Sequence, residues 1–178
     1  MAWQCSIIES PPLSGSMTEL SIESPYSTDS TWMWVLFETE EYQWCASFKK
    51  GSLPLSNWAI AVPATDCCFI VSGGAGYWVD ANAKAVLFLH PRPWLFAAIG
   101  IPSASSVVVA TFNEIELISS AGIEWHSPRI AWDGIRFVKS ERDTIVGIAE
   151  TGHGNDREFV FYIKDRRVEG GFLEDFKK

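Results

Sequence analysis

Cys67-Cys68-Phe69-Ile70-Val71-Ser72-Gly73-Gly74-Ala75-Gly76-Tyr77-Trp78-Val79-Asp80 decides the fold class. Its first six residues are a short apolar run, too short for a helix and rich in residues that favour strands. A glycine cluster follows, and then an aromatic and β-branched run resumes the pattern. A phosphate-binding glycine loop would need a helix N-terminus after the glycines. Tyr77-Trp78-Val79 reads as a strand instead, so the glycines supply the positive-φ positions of a hairpin turn.

The same signal recurs on both sides. Trp32–Glu38 and Tyr42–Phe48 flank the acidic turn Glu38-Thr39-Glu40-Glu41 and form a second hairpin. Trp58–Val62 ends at Pro63. Val107–Thr111 pairs with Ile115–Ser119, and Ile130–Ala131, Ile135–Lys139, Thr144–Ala149 and Glu158–Lys164 continue the series. Ala81–His90 reads equally as a helix capped by Asp80 or as a strand from Lys84 to Leu89. Cys68–Asp80 aligns with Val107–Ser119 at an offset of 39 residues. Such a spacing suggests propeller blades, but with almost no aligned identities the expectation is two similar hairpins. The predicted class is therefore all-β, with twisted antiparallel sheets forming a sandwich or partly open barrel and at most one or two short helices. Residues 1–31, rich in Ser, Pro, Thr and Glu, read as an extended acidic lead-in with one short strand at Thr18–Ile22; residues 32–178 read as a single β domain.

Composition narrows the function classes. A hydrophobic fraction of 47% in 178 residues is enough for a full core without disulfides or metals. The nine Trp, eleven Phe and four Tyr add large apolar areas to a core or an interface. No apolar stretch approaches the roughly 20 residues of a membrane helix, and Met1–Cys5 lacks a basic region before an apolar run, so neither membrane nor secretion is expected. Cys5, Cys45, Cys67 and Cys68 have no CxxC spacing. They read as free thiols in a reducing, cytoplasmic setting.

The net charge of −8 is unevenly spread. Glu9, Glu19, Glu23, Asp29, Glu38, Glu40 and Glu41 precede the first base, Lys49, and the remaining residues carry only −1. Nucleic-acid binding through phosphates needs clustered Lys and Arg, and is not expected. A basic protein partner would suit the acids at Glu38, Glu40 and Glu41. The alternatives are a solvated loop, or pairing with Arg166 and Arg167 of the same chain.

Chemistry-bearing motifs are sparse. His126, Ser127 and Asp133 invite a hydrolase triad, but adjacent His and Ser diverge on a strand and no GxSxG elbow exists. His90, His126 and His153 lack metal-ligand spacing. No cofactor is expected. Trp125, Arg129, Trp132, Asp133 and Gly134 read as the anchors of a strand–turn–strand corner, and Trp132→Ala is expected to cost about 3–5 kcal/mol if that ring is core.

Gly122-x-x-Trp125-x-Ser127-x-Arg129-Ile130-x-x-Asp133-Gly134, then Gly147, Phe159-Val160-Phe161 and Gly170-Gly171, is similar to a family of uncharacterised bacterial proteins. Trp34-x-x-Phe37 with Trp44-x-x-x-Phe48, and Ser72-Gly73-Gly74-x-Gly76-Tyr77-x-Val79-Asp80, resemble that family's upstream blocks. The resemblance covers most of residues 32–171. It implies a bacterial β domain and transfers no catalytic residue. The leading expectation is a non-catalytic protein-interaction domain, such as an immunity-type partner of a basic protein. The alternative is a small-molecule-binding β domain with an aromatic-lined pocket.

Overall fold

The computed structural model describes residues 3–11, 19–27, 31–53, 55–62, 65–101 and 104–176. Among them are sixteen strands and one four-residue helix, α1 (Leu173–Phe176). The chain divides into two compact units at Trp94/Leu95, whereas the sequence suggested one domain over 32–178.

Unit one holds two four-stranded sheets. The first contains β1 (Gln4–Ile8), β2 (Glu19–Ile22), β3 (Trp32–Glu38) and β4 (Gln43–Lys49), in the order β1-β3-β4-β2. β1 runs antiparallel to β3, and β2 runs parallel to β4. Residues 1–31 therefore contribute two hydrogen-bonded strands rather than standing outside the β domain. The rest of the expected lead-in, at 1–2, 12–18 and 28–30, lies outside the described residues. The second sheet is the meander β5 (Trp58–Ala61), β6 (Cys67–Ser72), β7 (Ala75–Asp80) and β8 (Ala85–Leu89). Residues 81–84 are a turn and 85–89 a strand, which settles the helix-or-strand alternative for this segment.

Gly73 and Gly74, with φ of 56° and 84°, form the two-residue loop between the paired Ser72 and Ala75. Two positive φ values at the loop positions are the requirement of the twisted hairpin turn. The turn is also tied down from outside. The Gly73 N–H donates to the Asn57 side chain at 3.0 Å, and the Gly74 N–H to the Ser56 carbonyl at 3.0 Å.

Unit two repeats the plan. Its sheets are the meanders β9 (Ala97–Gly100), β10 (Val107–Ala110), β11 (Ile115–Ser119), β12 (Gly122–His126), and β13 (Gly134–Ser140), β14 (Thr144–Glu150), β15 (Arg157–Tyr162), β16 (Arg167–Gly170). The two hairpins related by the 39-residue offset are the central pairs of separate sheets. The strands opening the four central hairpins start at Trp32, Cys67, Val107 and Thr144, so the repeating element is a whole four-stranded sheet. Three of the four are up-and-down meanders, the element from which propeller blades are made.

Each unit is a sandwich of its two sheets. In unit one Met33, Val35, Phe37, Trp44, Ala46 and Phe48 pack with Cys68, Ile70, Tyr77 and Val79. In unit two Val108, Ala110, Ile115 and Leu117 pack with Ile135, Ile145, Ala149, Phe159 and Phe161. No sheet closes into a barrel. The all-β class and the sandwich packing agree with the sequence.

All four cysteines are free thiols in this structure, with Cys45 and Cys68 buried and Cys5 and Cys67 half-buried. Cys67 and Cys68 face opposite sides of β6, as strand alternation demands, and only Cys68 joins the core cluster. Thiol titration of freshly isolated chain, denatured without reductant, is expected to find four; two or none would contradict this.

Candidate functional site

The acidic hairpin forms at the β3–β4 turn. The Thr39 N–H donates to the Tyr42 carbonyl at 2.8 Å, and the Thr39 hydroxyl accepts from the Glu41 and Tyr42 N–H groups at 3.3 and 3.0 Å. The turn is thus closed by the threonine, and the glutamates project from it. Glu40 and Glu41 are exposed, Glu38 is half-exposed, and Tyr42 beside them is 66% exposed. Among the described residues no ion pair engages these three acids. Arg166 is paired with Glu124 at 3.1 Å and Arg167 with Glu169, so neither is the partner of the acidic tip. Elsewhere in the acidic third, Glu23 does find a cation, Lys49, at 3.0 Å.

The corner from Ser127 to Gly134 is a strap joining the two sheets of unit two. Ser127, 1% exposed, accepts from the Ile115 N–H at 3.0 Å and donates its hydroxyl to the Pro128 carbonyl at 2.7 Å. The Ile130 N–H reaches the Asn113 carbonyl at 2.8 Å, and the Trp132 and Asp133 N–H groups share the Glu150 carbonyl. This arrangement does not make a triad. The Ser127 hydroxyl is committed to the backbone, and the hydrogen bond of the His126 ring among the described residues is with the Ser127 carbonyl, at 3.3 Å. Gly134, with φ of 144°, opens β13.

Trp125 and Trp132 play different parts. Trp125 stacks on Phe161 at 4.9 Å and 8°, against the core. Trp132 is 47% exposed, because the strap runs over the surface at that point. Its ring meets Phe176 at 4.6 Å, and the Arg129 guanidinium covers both rings at 4.7 and 4.5 Å. The core-sized cost anticipated for Trp132→Ala is therefore reduced. A surface cation–π cluster is worth about 1 kcal/mol, and a denaturant midpoint shifted by that much is expected. A loss above about 3 kcal/mol would show that the ring carries core packing after all.

A feature not foreseen from the sequence lies beside this corner. Trp125, His126, Pro128, Arg166, Arg167, Val168 and Leu173 line an open hollow of about 500 Å³. The β15–β16 turn places the two arginines there, with Arg166 at φ 49°. The Arg167 guanidinium lies over the Tyr162 ring at 4.3 Å. Each guanidinium is matched by a carboxylate yet keeps N–H donors beyond those it uses, since it has five. The adjacent Arg166-Arg167 pair was the only sequence sign of this hollow, and nothing in the sequence linked it to Trp125, about 40 positions earlier.

Among the described residues no group of three His, Cys, Asp or Glu side chains is placed to hold a metal ion, and no helix is long and apolar enough to cross a membrane.

Among solved structures with a similar fold is Kuenenia stuttgartiensis hydrazine synthase, with a TM-score of 0.54 and 14% identity over 91% of this chain and 52% of that chain. The chain thus spans about half the length of that neighbour, and at this identity the likeness is one of fold. No family model matches the chain. No curated protein matches it either.

Proposed function

We propose that this chain is a non-catalytic interaction domain of the bacterial cytoplasm whose partner is a basic protein. The observation that carries the reading is the acidic β3–β4 tip, where three carboxylates gather with no ion pair among the described residues. Like charges so placed add nothing to folding, and a cationic partner relieves their repulsion. The exposed Tyr42 ring next to them supplies the rigid aromatic contact that interfaces favour. The Ser127 hydroxyl, committed to the backbone, supports a non-catalytic reading.

The test is the triple variant Glu38→Lys, Glu40→Lys, Glu41→Lys, with the basic partner recovered on the tagged full chain. Electrostatic steering changes association rates by about 10- to 1,000-fold. The variant's association rate is expected to fall at least about tenfold and to lose its steep salt dependence, while its melting temperature stays level or rises. Unchanged binding and salt dependence would refute docking at this tip.

The hollow at Trp125 favours a second reading, a small-molecule-binding domain. Its volume lies in the range of ligand pockets, and its lining of apolar side chains with two arginines suits a flat ligand bearing an acceptor group. Native mass spectrometry of the chain from its own cells distinguishes the two readings: a bound metabolite lost on Arg166→Ala supports the second, and a stoichiometric basic protein the first.

A further inference from the structure

We propose that Cys5 and Cys68 are a reversible dithiol–disulfide pair that can cross-link the two sheets of the first unit. Cys5 lies at the second position of the edge strand β1, opposite Phe37 of β3. Cys68 lies at the second position of β6, between Ala61 of β5 and Val79 of β7. β1 packs against β5, the strand next to Cys68, and this brings the two cysteines together although they are far apart in sequence. Cys68 is a fully buried member of the first core cluster, and Cys5 packs against that cluster from its half-buried rim. Both side chains therefore meet in one core, Cys5 from the first sheet and Cys68 from the second.

The other two cysteines are placed differently. Cys45 is buried, with its sulfur 3.9 Å from the Ala46 carbonyl. Cys67 points to the opposite face of β6 from Cys68. The geometry therefore selects one pairing out of the six that four cysteines allow.

The chemistry balances with a mild two-electron oxidant. Two thiols give up two protons and two electrons and one S–S bond forms; hydrogen peroxide takes these up as two waters, and a diazene such as diamide takes them up as its hydrazine. Solvent reaches Cys5 and not Cys68. The neighbouring Cys5 thiol, and then burial, push the Cys68 thiol well above its ordinary range, so Cys68 resists forming a thiolate. Cys5 is accordingly oxidised first, and Cys68 resolves the adduct. The resulting bridge closes a long loop between two sheets, the kind of cross-link that most restricts the unfolded chain.

The test treats the folded full chain with graded diamide, checks by circular dichroism that it stays folded, and then denatures, alkylates and maps it without reduction. Four titratable thiols are expected to fall to two, with the Cys5 and Cys68 peptides joined, and the melting temperature is expected to rise by several degrees until reductant reverses it. Cys5→Ser is expected to keep its three remaining thiols under the same treatment. Cys67→Ser is expected to form the bridge and retain one thiol. Any of three results would overturn the proposal: a folded chain that keeps four thiols, a bridge that uses Cys67 or Cys45, or a bridge between two chains through Cys5.

Discussion

Replacing Trp44 with alanine is expected to remove about 3–5 kcal/mol of stability through the lost side chain and its cavity. The estimate rests on where β3 and β4 place the ring. Trp44 is directly opposite Phe37, and the two rings stack at 4.2 Å and 7°. Trp44 is 1% exposed, so the whole indole would be exchanged for a void. Its Nε1–H donates to the Ala81 carbonyl at 3.0 Å, and Ala81 lies in the turn between β7 and β8. One side chain therefore packs the first sheet and ties it to the second. Losing the donor leaves a buried carbonyl at a further cost of about 1–3 kcal/mol. Native domains hold only about 5–15 kcal/mol in total, so unit one is expected to be marginal or unfolded in this variant. Trp44→Phe separates the two contributions, because it keeps an aromatic ring against Phe37 and loses only the hydrogen bond and part of the volume. Its denaturant midpoint is expected between those of the wild type and Trp44→Ala. A midpoint for Trp44→Ala within about 1 kcal/mol of wild type would refute this account of the core.

The strands that the sequence revealed carry a strong local pattern, continuous where both faces are buried and alternating in β3, β14 and β15. β6, β7 and β10 are apolar at nearly every position, because packing from two sides removes the need for polar alternation, while β11 holds a buried Glu116 among its apolar residues. Their bounds agree with the expected ones to within two residues. The edge strands β1, β9, β12 and β16 were missed. Each is four or five residues long, and each carries Gly, Ser or charged residues that read as loop. An edge strand is specified by the neighbour it hydrogen-bonds to, and single-sequence pattern holds no record of that neighbour. The partition into two units was hidden for the same reason. Pro91-Arg92-Pro93 stands just before Trp94/Leu95, but it reads like any other turn, because the boundary is set by which sheets share a core.

The candidate site was legible to the extent that it is local. The acidic tip follows from one hairpin, and Glu38, Glu40 and Glu41 gather there because the turn is short. Whether a cation opposes them depends on side chains over a hundred residues away, and only the positions of Glu124 and Glu169 show that Arg166 and Arg167 are engaged elsewhere. The hollow at Trp125 and the Cys5–Cys68 pair are both products of long-range packing, and spacing rules address neither.

Gly147→Val is expected to cost about 3 kcal/mol, the upper end for overpacking a core, and the reason is steric rather than conformational. Gly147 lies in the middle of β14, flanked by Phe137 of β13 and Phe159 of β15. Its φ is not in the left-handed region, so the backbone there would accept any residue. The space would not. A Cβ at this position would run into the Phe159 ring, and it would stand 2.9 Å from the Arg136 carbonyl. Phe159 is fully buried and has no room to swing aside, since its ring fills the volume that the glycine leaves open. A glycine inside a strand ordinarily weakens it; here the ring lying over it recovers that loss as packing. The sequence marked Gly147 as part of a pattern without giving the cause, because the cause sits on the neighbouring strand. A double-mutant cycle isolates it. Phe159→Ala alone is expected to cost about 3–5 kcal/mol. The pair Gly147→Val with Phe159→Ala is expected to cost less than the sum by at least about 1 kcal/mol, because the valine then fills space the ring has vacated. Additive costs would mean that the ring and the glycine do not share that space, and that the valine is penalised by the Arg136 carbonyl instead.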